Sequence, residues 1–129
     1  MKRYGLSKDE KLVSFRDAAS LFETGKSIHR HPVRIVWKEF PRSGQLPALV
    51  LFSVSKRKFP HAVDRNRIKR LLREAYRFMK QDFFDNIPDT LTLHLVIIFT
   101  GHELPELTDI QNQLSHTLDR LILQLRKTA

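Results

Sequence analysis

The sequence predicts an α+β fold: a two-layer sandwich of helices on a small sheet, in the order α-β-β-(β)-α-β-α. Three observations predict it. Apolar stripes of helical period run through residues 65–83 and from Thr108 or Asp109 onward. Short runs rich in Val, Ile, Leu and Phe occupy 33–40, 48–55 and 92–100. Turn-forming clusters separate the two kinds of segment, so helices have to cover a sheet to bury both.

Taken in order, Ser7 caps a short helix through Lys11, with acids in its first turn. Residues 14–24 set Phe15, Ala18, Ala19, Leu21 and Phe22 at helical spacing, and Gly25 is the stop. A further short strand is expected near residues 27–30. Residues 33–40, bounded by Pro32 and Pro41, form the next strand. The turn Arg42-Ser43-Gly44-Gln45 leads to a strand at 48–55, and these two strands are expected to pair as an antiparallel hairpin. Asp64 is the predicted N-cap of a helix over 65–83. Its core stripe is Ile68, Leu72, Ala75 and Met79, widened by Leu71 and Phe78. After the break at 86–89, residues 92–100 read as a buried central strand. The last helix sets Ile110, Leu114, Leu118, Leu121, Ile122 and Leu125 on one face.

At 129 residues the chain is expected to be one domain, 1–129. It has no cysteine, and no apolar run approaches the length of a signal peptide or a membrane span. A cytoplasmic home with no membrane partner is the expectation. The net charge of +9 is concentrated. Residues 1–53 carry ten Lys/Arg against five Asp/Glu (+5), residues 54–80 ten against two (+8), and residues 81–129 three against seven (−4). A basic element at 54–80 calls for a polyanion, nucleic acid first.

On a helical wheel Arg65, Lys69 and Arg73 form one row, and Asn66, Arg70 and Arg77 the adjacent row. Arg67 lies between the polar rows and the flank. The guanidinium fork suits phosphate oxygens, and Asn66 suits a 2′-hydroxyl or a base edge. A merely solvated helix would mix Glu among its Lys residues, but up to Lys80 only Glu74 follows Asp64. Lys56 and Arg57, at a strand end, are further phosphate contacts. Phe15, Phe22 and Trp37 are candidates for stacking unpaired bases, although aromatics at such spacing also build cores.

The segment Val54-Ser55-Lys56-Arg57, followed by Ala62-Val63-Asp64-Arg65-Asn66-Arg67-Ile68-Lys69-Arg70-Leu71-Leu72-Arg73-Glu74-Ala75, closely resembles the signature of the bacterial ribonuclease P protein component. Phe15, Phe22 and Gly25 match the family's N-terminal helix. The resemblance implies a protein subunit whose partner, a large catalytic RNA, uses bound magnesium ions to remove the 5′ leader of precursor tRNA. The chain itself then carries no catalytic residue, metal or organic cofactor, and needs no obligate protein partner. It implies that Arg65, Asn66, Arg67, Lys69, Arg70, Arg73 and Arg77 face the catalytic RNA. The leader would lie in a cleft between the sheet and the N-terminal helix, with Phe15, Phe22, Lys56, Arg57 and Trp37. Phe40 is the other aromatic suited to the cleft strand. A left-handed β-α-β crossover is also implied. The chain departs from the family pattern at Lys58-Phe59-Pro60-His61, one residue longer and without the usual glycine.

The six histidines make no metal pattern beyond His29-Arg-His31, and no phosphate-cradling glycine loop or Gly-x-Ser-x-Gly is present. The competing function is a non-enzymatic RNA-binding ribosomal or assembly protein of similar fold. A DNA-binding regulator fits less well, because a strand precedes the basic helix.

Overall fold

The computed structural model describes residues 21, 23–42 and 44–128. Alternation in the first strands decides which side of the sheet is covered. β1 (Lys26–Arg30) and β2 (Val33–Pro41) form an antiparallel hairpin. Along β2, Val33, Ile35 and Trp37 share one parity and are fully buried. β3 (Ala48–Val54) has the same inward rhythm, with Ala48, Val50, Phe52 and Val54 buried. β4 (Leu91–Phe99) is apolar on both faces, as a central strand has to be.

This composition sets the topology, β1-β2-β4-β3, with β4 antiparallel to β2 and parallel to β3. The expected hairpin between residues 33–40 and 48–55 is therefore corrected. β4 buries both of its faces only by entering between those two strands, so β2 and β3 never touch as neighbours. The short strand expected near 27–30 is present as β1, one residue longer at its start.

α1 (Ala62–Asp85) connects β3 to β4, and α2 (Leu107–Thr128) follows β4. Both helices cover the face carrying Val33, Ile35 and Trp37. α1 begins three residues before the expected start, with His61 at the N-cap position and no side-chain cap. Asp64 instead lies in the first turn, where its charge favours the helix N-terminus. The buried stripe of α1 is Ile68, Leu72, Ala75, Tyr76 and Phe83. Tyr76 meets Phe52 and Phe83 edge-on, with ring centroids 5.9 and 6.3 Å apart. Phe78 is corrected as a core residue: it lies about 100° from this stripe and is 59% exposed. All six stripe residues expected in α2 are buried, and the helix begins at Leu107.

Two glycines have distinct reasons. Gly44 has φ of 66° in the β2–β3 turn, a region that costs a side chain energy. At Gly25 a Cβ would lie 2.5 Å from the Leu21 carbonyl oxygen and 2.8 Å from that of Trp37. Gly25 thus follows helical Leu21, Glu23 and Thr24 at close approach, its N–H donating to the Leu21 carbonyl at 2.7 Å. The expected helix at 7–11, and most of that at 14–24, lies outside the described residues. Within them, Leu21, Glu23 and Thr24 are helical.

Arg42 joins the β2–β3 turn to the loop before β4. Its Nε donates to the Leu91 carbonyl at 2.7 Å, and its second terminal nitrogen to that of Pro88 at 3.1 Å. This basic residue serves the frame.

Candidate nucleic-acid interface

Once Ile68, Leu72, Ala75 and Tyr76 are turned into the core, the basic side of the first four turns of α1 faces outward. Asn66, Arg67, Arg70 and Arg73 are exposed, and Lys69 and Arg77 are half-buried. Among the described residues, the one ion pair on this flank joins Arg77 to Glu74 at 3.7 Å. Arg67, Lys69, Arg70 and Arg73 have no acidic partner there, so their charge projects into solvent. The Arg73 guanidinium lies 5.8 Å from the Phe52 ring centroid, which steadies it beside β3.

Arg65 behaves differently from the other arginines. One terminal nitrogen donates to the carbonyls of Phe59 at 2.9 Å and Pro60 at 2.8 Å. It holds the loop that precedes its own helix. That loop is pinned twice more, by Phe59, buried against Phe99 with centroids 5.9 Å apart, and by Lys58, whose Nζ donates to the Thr100 carbonyl at 2.8 Å. Phe59 and Lys58 thus form a plug and a strap. Lys56 and Arg57 stand exposed at the tip.

The second candidate surface is the sheet face away from α1 and α2. Register brings Arg34 opposite Ile98, Val36 opposite Val96, Lys38 opposite His94 and Phe40 opposite Thr92. On β3, Leu49 lies opposite His94 and Leu51 opposite Val96. Leu21 covers Val36 and Val96, while Leu49, Leu51 and Ile98 are only partly buried. The Phe40 and His94 rings lie 4.2 Å apart, tilted by 32°, with Lys38 Nζ 5.6 Å from the Phe40 centroid. Lys38 also donates to Thr24 Oγ1 at 3.0 Å, joining the face to the helical segment. Arg34 donates to Ser27 Oγ at 3.0 Å. The result is a half-open strip with a tilted ring pair, two cations and aliphatic flanks.

Trp37 is corrected as a residue of this face. It is 0% exposed and packed in the core between sheet and helices, so no base can reach its ring. Its parity with Val33 and Ile35 is the signal that assigns it there. The same parity assigns Arg34, Lys38 and Phe40 to the open face. His94, inside an apolar run, gave no local signal. Phe15 and Phe22 lie outside the described residues.

Among the described residues, no three His, Asp or Glu side chains are grouped so as to hold a metal ion. No helix among them is long and apolar enough to cross a membrane.

Fold and flank together define a small α+β protein with one strongly basic helix. The sequence model of the Ribonuclease P family matches residues 6–122. The ribonuclease P protein component of Porphyromonas gingivalis is 32% identical over 120 residues, covering 92% of this chain and 87% of that one. That of Chlorobium phaeobacteroides is 36% identical over 104 residues, covering 75% and 68%. Among solved structures, the Thermotoga maritima protein superimposes with a TM-score of 0.67 at 23% identity, covering 86% of this chain and 96% of that one. The Staphylococcus aureus protein gives 0.64 at 25% identity, covering 91% and 92%. The chain belongs to the ribonuclease P protein component family. It is an RNA-binding protein subunit of the tRNA-processing ribonucleoprotein and works with the ribonuclease P RNA.

Proposed function

We propose that the outward flank of α1 grips the ribonuclease P RNA, and that the half-open sheet face holds the single-stranded 5′ leader of precursor tRNA. The observation that carries the first part is the row of exposed cations. Arg67, Arg70 and Arg73 stand without an acidic partner among the described residues, on a helix whose opposite side is locked in the core. Phosphates supply the missing charge, and each contact releases condensed counterions. Asn66 is exposed at the start of this row and reads a hydroxyl or a base edge.

The second part rests on the ring pair Phe40–His94, with Lys38 above Phe40. Rings beside cations suit an unpaired strand, because every base has a π face and every nucleotide a phosphate. Phe15, Phe22, Lys56 and Arg57 are the further residues assigned to the leader. The RNA carries out cleavage, with magnesium ions held mainly by that RNA. The protein raises affinity for RNA that still bears its leader, and it works in the cytoplasm.

The test is reconstitution. Added to a bacterial ribonuclease P RNA at low magnesium, the chain should restore removal of the 5′ leader. If processing is no faster with the protein than without it, the proposal fails.

A further inference from the structure

Three aromatic rings along α1 lie close to a cation. Arg73 is 5.8 Å from the Phe52 centroid, Lys80 Nζ 6.0 Å from that of Phe84, and Arg77 5.7 Å from that of Phe78. In the first two pairs the ring serves packing, since Phe52 is buried and Phe84 half-buried. Phe78 is 59% exposed. It lies one helical turn from Glu74 and three turns from Arg67, on the outward edge of the cationic flank. Glu74 holds Arg77 at 3.7 Å, so the cation beside the open ring is itself positioned.

We propose that Phe78 is a stacking platform for one unpaired base of the RNA bound by α1, with Arg77 meeting the phosphate of the same nucleotide. This rests on the assignment of the flank to RNA. The surrounding charge selects the occupant. A second copy docked through Phe78 would bring two sets of Arg67, Arg70 and Arg77 together, and like charges oppose that contact. An unpaired nucleotide offers a π face to the ring and an anion to the guanidinium at the spacing the pair presents. Stacking of this kind tolerates any base, so the contact adds affinity without reading sequence.

The experiment measures binding of the full chain to ribonuclease P RNA over a series of salt concentrations, for the parent, F78A, F78L, F78W and R70A. F78A should weaken binding about 5- to 150-fold, the range expected for one stacked base, with the salt slope unchanged because no phosphate contact goes. F78L should bind as poorly as F78A, and F78W as well as the parent. Trp37 is the chain's single tryptophan and is buried. F78W therefore adds one exposed fluorophore, whose emission should be quenched on RNA binding. Parent-like binding by F78A or F78L overturns the proposal. So does a change of association state in F78A with RNA affinity intact, which would mark a protein contact. R70A separates the two readings. If it binds and responds to salt like the parent, the flank's assignment to RNA falls. If R70A weakens and F78A does not, Phe78 alone is wrong.

Discussion

The cationic flank of α1 comes from one continuous segment whose residues recur every helical turn. The open face of the sheet is assembled from alternate residues of separate strands together with Leu21 and Thr24. The flank needs only that one helix forms and that its apolar stripe finds the core. The face needs the strand order and the register to be right, because a slip of one residue exchanges Lys38 and Phe40 for Trp37 and Glu39. The two surfaces therefore differ in what disturbs them. The flank is damaged one charge at a time, whereas the face is damaged both by its own side chains and by anything that shifts the sheet.

The largest expected effect comes from the buried side of β2. Trp37→Ala should destabilise the fold by about 4 kcal/mol, the cost of emptying a large core site, measured by urea unfolding. A variant that unfolds at the parent's urea concentration and loses only leader affinity would return Trp37 to the open face. Next, Arg70→Ala should weaken binding to ribonuclease P RNA by about 2 kcal/mol, typical of a charge-assisted contact. It should also reduce the salt slope by about 0.7–0.9, as one phosphate is given up. An unchanged slope would remove Arg70 from the interface. Phe40→Ala should cost about 1.5 kcal/mol of affinity for precursor tRNA, within the range for a stacked base. Binding to the catalytic RNA alone should stay as it was. Equal losses with and without a leader would show that face and flank are not separate surfaces. The smallest effect is Arg65→Ala, which should lower stability by about 1 kcal/mol through the lost loop hydrogen bonds. If unfolding is unchanged while RNA affinity falls as in Arg70→Ala, Arg65 belongs with the free arginines.

This contrast also explains how far the sequence could be read. Arg67, Arg70 and Arg73 declare themselves because helical periodicity is local, and the opposing stripe of Ile68, Leu72 and Ala75 orients them. α2 was legible for the same reason. Parity in β2 was legible too: Val33, Ile35 and Trp37 form the apolar set, and that argument already outweighs Trp37's attraction as a stacking residue. The neighbour of β2 was not legible. Short connections favour a hairpin with β3, and only the two-sided burial of β4 forces it between them. His94 had no local mark because it earns its place through Phe40, more than fifty residues away in sequence and 4.2 Å away in space. The departure at 58–61 could be seen as a longer loop, but the burial of Phe59 against Phe99 depends on that same distant strand.

The insertion of β4 has a consequence for synthesis. Translation proceeds from the N-terminus, and β2 can pair at once with β1, but β3 has β4 as its one neighbour in the sheet. From the completion of β3 at residue 54 to the end of β4 at residue 99, 45 more residues have to be made (99 − 54). At roughly 5–20 residues per second this takes about 2–9 s. Throughout that interval the ribosome carries a half-built sheet, and by its end the 45 added residues have brought in ten Lys/Arg against five Asp/Glu.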